Sequence, residues 1–180
     1  VTGVQPCALP IYDATIADDT PTFTGVGAVT NGADAEIRVE IYSGTSTAGT
    51  LVQTLTATRN SSTGAYSVTV ADASKLANGT YTAQAEQSTV SGNTGYSPTA
   101  TFVVDTAKPT ITSLTGPTDP SASPSATFTF AYSDGAGSGV TAVMCDLDGY
   151  GFDSCSSAKT YYPLADGTHT FSLKVQEDRK

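Results

Sequence analysis

The sequence predicts an all-β protein built from two tandem β-sandwich domains, the second stopping short of its last strand. Three observations carry this. The stretch Leu76-Ala77-Asn78-Gly79-Thr80-Tyr81-Thr82 returns as Leu164-Ala165-Asp166-Gly167-Thr168-His169-Thr170, a repeat at the spacing of one domain. In each copy a Leu precedes an Asn-Gly or Asp-Gly turn, whose glycine tolerates positive φ, and the residues that follow alternate with the period of a half-buried strand. The 180 residues include 17 Gly and 9 Pro but no Trp, and only 14% are charged. That is a composition of short strands and polar turns, not of helices rich in Leu, Glu and Lys.

Composition also bounds function. The net charge is −9 and the pI near 4.2, a surface that repels phosphate backbones and excludes nucleic acid as a partner. No apolar run approaches the roughly 18 residues that span a bilayer, so no membrane contact is expected within this segment. The single His leaves little material for a catalytic triad or a His-based metal centre, and no enzyme is expected.

The two ends stand apart. Residues 1–11 resemble the conceptual translation of a synthetic adapter used in sequencing libraries, with Pro6 where the usual translation has Thr. Asp178-Arg179-Lys180 resembles the reverse complement of the same adapter. Residues 1–11 have neither the basic n-region nor the continuous apolar h-region of a signal peptide. Both ends are therefore expected to be artefacts of a metagenomic fragment, Cys7 to have no native role, and the true start, stop and any anchor to lie outside the segment.

Between the ends, the first domain is assigned to residues 12–106. A weak strand near residues 14–17 leads through the Asp18-Asp19-Thr20-Pro21 turn to a short strand at 22–25. After Asn31-Gly32 comes the clearest strand, 36–42, with Ile37, Val39 and Ile41 on one face and Glu36, Arg38 and Glu40 in water. Residues 51–58 and 65–71 follow, the latter with Tyr66, Val68 and Val70 in phase. Beyond the first corner, residues 80–87 place Tyr81, Ala83 and Ala85 inward. Residues 91–96 are expected to be a turn, and 99–105 to close the domain with Phe102 and Val104 in its core. Seven strands, with turns roughly every ten residues, form the pattern of an immunoglobulin-like or fibronectin type III-like sandwich.

Residues 104–109, ending in Lys108-Pro109, form the expected hinge. Proline cannot donate into a ladder and keeps its predecessor extended, so a short link and a semi-rigid rod are expected. The second domain, 107–180, has strands expected at 109–114, 126–132, 140–149, 152–155, 159–162 and 168–176. Phe128, Phe130 and Tyr132 alternate on one face, as do His169, Phe171, Leu173 and Val175. A counterpart of 99–105 is missing, and the unpaired edge so created is prone to aggregation.

Phe102-Val103-Val104-Asp105-Thr106 with Lys108-Pro109 resembles the junction between tandem bacterial Ig-like domains of large surface proteins. Ala126-Thr127-Phe128-Thr129-Phe130, Cys145-Asp146-Leu147-Asp148-Gly149, Phe152, Cys155 and the second corner through Phe171 resemble one subgroup of those repeats more closely. The usual Asp-x-Ala-Gly-Asn-like tail after the last strand is absent. The resemblance implies extracellular, non-catalytic modules of adhesins and surface-anchored proteins, or spacers in secreted enzymes, partnered by neighbouring Ig-like repeats. It names no host or surface ligand.

Cys145 and Cys155 flank Asp148-Gly149-Tyr150-Gly151 and can close a disulfide across a hairpin. A loop this short contributes about 2.5–3 kcal/mol on the chain-entropy estimate, and the bridge implies an oxidising compartment. Zinc would need further ligands that one His does not supply. At the corners, Leu76, Gly79 and Tyr81 correspond to Leu164, Gly167 and His169, and His169 is expected to donate to the same turn as a corner tyrosine. Ser156-Ser157-Ala158-Lys159 matches the Ser-x-x-Lys of penicillin-recognising enzymes, but without the helix start or partner motifs that chemistry needs. Some bacterial Ig-like arrays bind calcium at domain junctions. Asp18, Asp19 and Asp105 are the candidates, with Asp146, Asp148 and Asp153 beside the Cys hairpin. The EF-hand spacing is not met, and solvated turn carboxylates are the favoured reading. No other cofactor is expected.

The leading functional expectation is a structural or adhesive spacer or display stalk at the cell surface. The alternative is an accessory module of a secreted hydrolase that binds carbohydrate through Tyr150, Tyr161 and Tyr162. The absence of Trp counts against that alternative.

Overall fold

The structure, a computed structural model, describes residues 14–30, 32–135, 137 and 139–177. The adapter-like ends with Cys7, and Asn31 of the expected Asn-Gly turn, lie outside the described residues. The chain divides into two compact units, one reaching Thr106 and the next starting at Ala107. Among the described residues, regular structure is strand throughout, apart from one 3-10 turn at Asp72–Ser74. No helix among the described residues is long and apolar enough to cross a membrane.

The first unit is a sandwich. Its larger sheet contains β1 (Ala14–Ile16), β8 (Ala100–Val104), β6 (Gly79–Ser88), β3 (Glu36–Ser43) and β4 (Leu51–Thr58), hydrogen-bonded in that order. Its smaller sheet pairs β2 (Thr22–Val26) with β5 (Ala65–Thr69). The alternation in β3 sends Ile37, Val39 and Ile41 into the core, where all three are fully buried. The exposed face of β3 carries an ion pair between Arg38 and Glu86 at 3.1 Å. Between the sheets, the Phe102 ring meets Phe23 edge-on and stacks on Tyr81, each at 5.8 Å between centroids.

The first unit differs from expectation in one element. Residues 91–96 are not all turn: Thr94–Tyr96 form β7, which pairs with the end of β6 through Glu86↔Tyr96 and Ser88↔Thr94. The Ser91-Gly92-Asn93 turn thus closes a hairpin whose second arm is too short, and too rich in glycine, to show a period. The first unit therefore has eight strands among its described residues rather than seven. Strand β1 lies parallel to β8, with Ile16 beside Val104, a pairing that sequence spacing does not reveal.

The inward phase of β6 also runs further than Ala85. Gln87 is fully buried, and its amide makes three hydrogen bonds: it accepts from the Ala28 N–H at 2.7 Å and donates to the Ala28 and Asp34 carbonyls at 3.0 and 2.7 Å. It ties the β2–β3 connection to the sheet. At Gly27 in that connection, an added Cβ would come within 2.6 Å of Ile37 Cδ1. Gln87→Leu keeps the volume but strands these backbone groups. It should lower the first unit's stability by about 2–3 kcal/mol in urea unfolding.

The second unit sets β13 (Lys159–Tyr161), β10 (Ala126–Ser133) and β9 (Thr110–Thr115) as one sheet and β12 (Asp153–Ser154), β11 (Ala142–Leu147) and β14 (Phe171–Gln176) as the other. Phe128 of one sheet stacks on Phe171 of the other at 4.0 Å, with Tyr161 edge-on to both. The core is thinner than the first unit's: Leu164, Phe171, Leu173 and Val175 are all half-buried. Tyr132, expected in line with Phe128 and Phe130, is largely exposed. The β9–β10 pairing shifts register at this point, with Thr112 of β9 as the extra residue between the partners of Ala131 and Tyr132. His169, expected on the face of the last strand, lies ahead of it, because β14 begins only at Phe171.

Candidate functional site

The two corners hold the most specific side-chain geometry. In the first, the Tyr81 hydroxyl donates to the Ala77 carbonyl at 2.9 Å, and Leu76 is buried beneath it. Gly79 has φ 156°, a value that disfavours a side chain. Asn78 Oδ1 accepts from the Thr106 N–H and hydroxyl at 3.0 and 2.8 Å, joining the corner to the residues that follow β8.

In the second corner, His169 Nε2 lies 2.9 Å from the Ala165 carbonyl, the counterpart of Ala77. Leu164 is half-buried and Gly167 has φ 149°. The other ring nitrogen, Nδ1, lies 2.7 Å from Asp148 Oδ2. A carbonyl and a carboxylate only accept, so satisfying both requires a proton on each nitrogen, which makes the ring an imidazolium. Asp148 is reached from the far side. It follows β11 in the left-handed region, at φ 59°. It accepts from the Thr170 N–H at 2.7 Å and donates its own N–H to the Thr170 carbonyl at 2.8 Å. The Ala165 carbonyl and the Asp148 carboxylate hold the His169 proton above its ordinary value, and the His169 and Thr170 donors hold Asp148 below its own.

The signs set a pH window. His169, raised, stabilises the folded state fully below 6.5 and loses that contribution as pH climbs through its folded value. Asp148, lowered, contributes above 3.8 and loses the contribution as pH falls through its folded value. The clamp is complete between the two. His169→Tyr restores a corner hydroxyl for Ala165 and removes the titration. The wild type should therefore lose thermal stability between pH 6 and 8 relative to the variant; parallel melts at the two pH values check this.

The hairpin carrying Asp148 is closed by a disulfide between Cys145 and Cys155, with Cα atoms 5.8 Å apart. Cys145 sits on β11 and Cys155 just past β12, its N–H bonded to the Val143 carbonyl at 3.0 Å. Inside the loop, Asp146 is buried and accepts from the Gly151 N–H at 3.0 Å. The hairpin, the His169 clamp and the corner thus form one connected network that sequence reasoning treated as three separate features.

The remaining candidates fall elsewhere. Asp18 accepts from the Thr20 N–H and hydroxyl, and Asp19 pairs with Lys75 at 2.9 Å. Asp105 is buried after β8, its N–H on the Ile16 carbonyl. Among the described residues of the first unit, no three such ligand atoms come within 4.8 Å of one another. Ser157 Oγ accepts from the Phe130 N–H at 2.9 Å, and Lys159 opens a strand, not a helix. Of the three tyrosines considered for carbohydrate, Tyr150 and Tyr162 are exposed at 92% and 73%. Tyr161, the last residue of β13 and paired with buried Ala126, instead belongs to the aromatic cluster with Phe128 and Phe171.

One feature has no sequence signal. A groove of about 600 Å³ runs between the Pro/Ser-rich β9–β10 loop and the second corner, with Phe128 and Phe171 against it and Leu164, Gly167 and His169 along one wall.

No family model matches the chain, and no curated protein matches it significantly. Among solved structures it is similar to the fibronectin(III)-like modules of Clostridium thermocellum CbhA, at 20% identity over 96% of this chain and 86% of that one, with a TM-score of 0.42. It is also similar to a tetra-tandem repeat in the extending region of a large adhesion protein, at 18% identity over 98% of this chain and 46% of that one, with a TM-score of 0.41. The chain thus spans about half the length of the second.

Proposed function

We propose that this chain is a non-catalytic, structural or adhesive segment of a bacterial cell-surface or secreted protein, acting as a spacer or display stalk. One observation carries the reading. Among the described residues, four side chains that could do chemistry instead hold the fold: His169 locks a corner, Cys145 and Cys155 close a hairpin, and Ser157 satisfies a strand N–H. Both ring nitrogens of His169 are already engaged, by the Ala165 carbonyl and the Asp148 carboxylate. The disulfide suits an extracytoplasmic setting, and the acidic surface suits a soluble module that avoids nucleic acid. Partners on this reading are neighbouring repeats of the parent protein.

The hydrolase-accessory reading rests on exposed Tyr150 and Tyr162. Affinity electrophoresis through gels containing cellulose derivatives, xylan or chitin-type polymers separates the two. The spacer reading expects unchanged mobility in every gel. Retardation that is lost in a Tyr150→Ala, Tyr162→Ala double variant would replace it with carbohydrate binding.

A further inference from the structure

The chain enters the first unit's larger sheet through β1 and leaves it through β8, and these two strands lie side by side. They run parallel, with Ala14↔Phe102, Thr15↔Val103 and Ile16↔Val104 in register. The Asp105 N–H donates to the Ile16 carbonyl at 2.9 Å and carries the ladder one step past β8. Every other strand pair among the described residues of this unit is antiparallel.

Direction gives this one pairing a mechanical consequence. Tension along the chain draws β1 toward its N-terminal end and β8 toward its C-terminal end. In parallel strands those two ends lie at opposite ends of the ladder, so the strands must slide past one another. The bonds of a parallel ladder are evenly spaced; they share such a load and must yield together. A slide of one residue would also turn the buried face of β8, Ala100, Phe102 and Val104, away from the core. A pull applied instead at the C-terminal end of β1 would act at the same end of the ladder as the pull on β8. The bonds would then open one at a time.

The first corner grips the chain just past both strands. Beyond β1, the Asp19 carbonyl accepts from the Leu76 N–H at 2.8 Å, and the Asp19 carboxylate meets Lys75 Nζ at 2.9 Å. Beyond β8, Asn78 Oδ1 accepts from the N–H and the hydroxyl of Thr106. The corner is itself fixed, because Leu76 is buried and the Tyr81 hydroxyl closes on the Ala77 carbonyl. Its glycine continues the grip, since Gly79 pairs with Val104 at the loaded end of β8.

We propose that the parallel β1–β8 pair and the corner behind it form a shear latch, which makes the first unit resist a pull along the chain more strongly than a pull that peels β8 away. The corner is then a force-bearing element as well as a turn. The use of such a latch in a parent protein rests on the stalk reading; its directional resistance does not.

Single-molecule extension of the whole oxidised chain in two directions tests this. One handle stays on the C-terminus; the other sits either on the N-terminus or on a thiol introduced by Ala17→Cys in a Cys7→Ser background. Ala17 is exposed and follows β1 directly, so urea unfolding of the first unit should be the same in the variant. The first unit's event is the one whose length ignores reductant. At equal loading rate, end-to-end pulling should need at least about twice the force of pulling from position 17. Asn78→Ala, which removes the acceptor for Thr106, should lower the end-to-end force by at least about 1.3-fold. Asn78→Asp, which keeps an accepting oxygen, should hold it at the wild-type level. Equal forces in the two directions, or an end-to-end force that Asn78→Ala leaves unchanged, would overturn the latch. Neither result would alter mobility in the polysaccharide gels, where the stalk reading stands or falls separately.

Discussion

Phe102→Ala should destabilise the first unit by about 3–5 kcal/mol, the range for deleting a fully buried aromatic from a core. The ring is fully buried and packs against both Phe23 of the smaller sheet and Tyr81 of the corner. Its loss opens a cavity at the point where the two sheets and the corner meet. Relaxation is restricted because β8 is held by β6 on one side and β1 on the other. In urea unfolding followed by tyrosine near-ultraviolet circular dichroism, the transition of the first unit should move to markedly lower denaturant, while that of the second stays in place. A shift of both would mean that the units do not unfold separately. A loss below about 1 kcal/mol would mean that the sheets do not pack through this ring.

Replacing Cys145 and Cys155 together by Ser should cost the second unit about 2.5–3 kcal/mol, through the entropy of the reopened loop. The loss matters more here than it would in the first unit, because the apolar residues of β14 are only half-buried. A second consequence distinguishes this from simple weakening. The hairpin also presents Asp148 to His169 and Thr170. With the bridge gone, the His169 titration should move down toward 6.5, its ordinary value. An NMR pH titration of the imidazole reads this directly. An unmoved titration would show that Asp148 is positioned by its turn and not by the disulfide.

Much of this fold is legible in the sequence because its signals are local and periodic. Strand β3 declares itself by Ile37, Val39 and Ile41, and β4 occupies residues 51–58 as the alternation implies. The corners are legible because a turn glycine and a hydrogen-bonding ring must sit at fixed offsets. What escapes is what depends on distant partners. Strand β7 exists only as the return arm of β6, and the expected strand β1 gives no sign in sequence of its parallel pairing with β8. Gln87 reads as a polar residue at a strand end, and only the arrival of Ala28 and Asp34 turns it into a buried tie. Tyr132 keeps perfect alternation in sequence yet lies exposed near the end of β10, where the facing β9 carries the extra residue Thr112. At the candidate site, His169 and Asp148 each stand out in the sequence, but their pairing spans 21 residues and two strands. The groove beside them is formed by a Pro/Ser-rich loop whose composition says only that it turns.

On the proposed stalk reading, the two compact units unfold separately under load, the second cross-linked within itself. Single-molecule extension of the whole chain, pulled from its two ends, tests it most directly. Two discrete unfolding events are expected in oxidising buffer. On adding reductant, one event alone should lengthen by roughly 30 Å: ten residue steps at ~3.6 Å, less the 5.8 Å already spanned between the Cys Cα atoms. The other event should be unchanged. A single event, featureless extension, or two events that both ignore reductant would contradict the account.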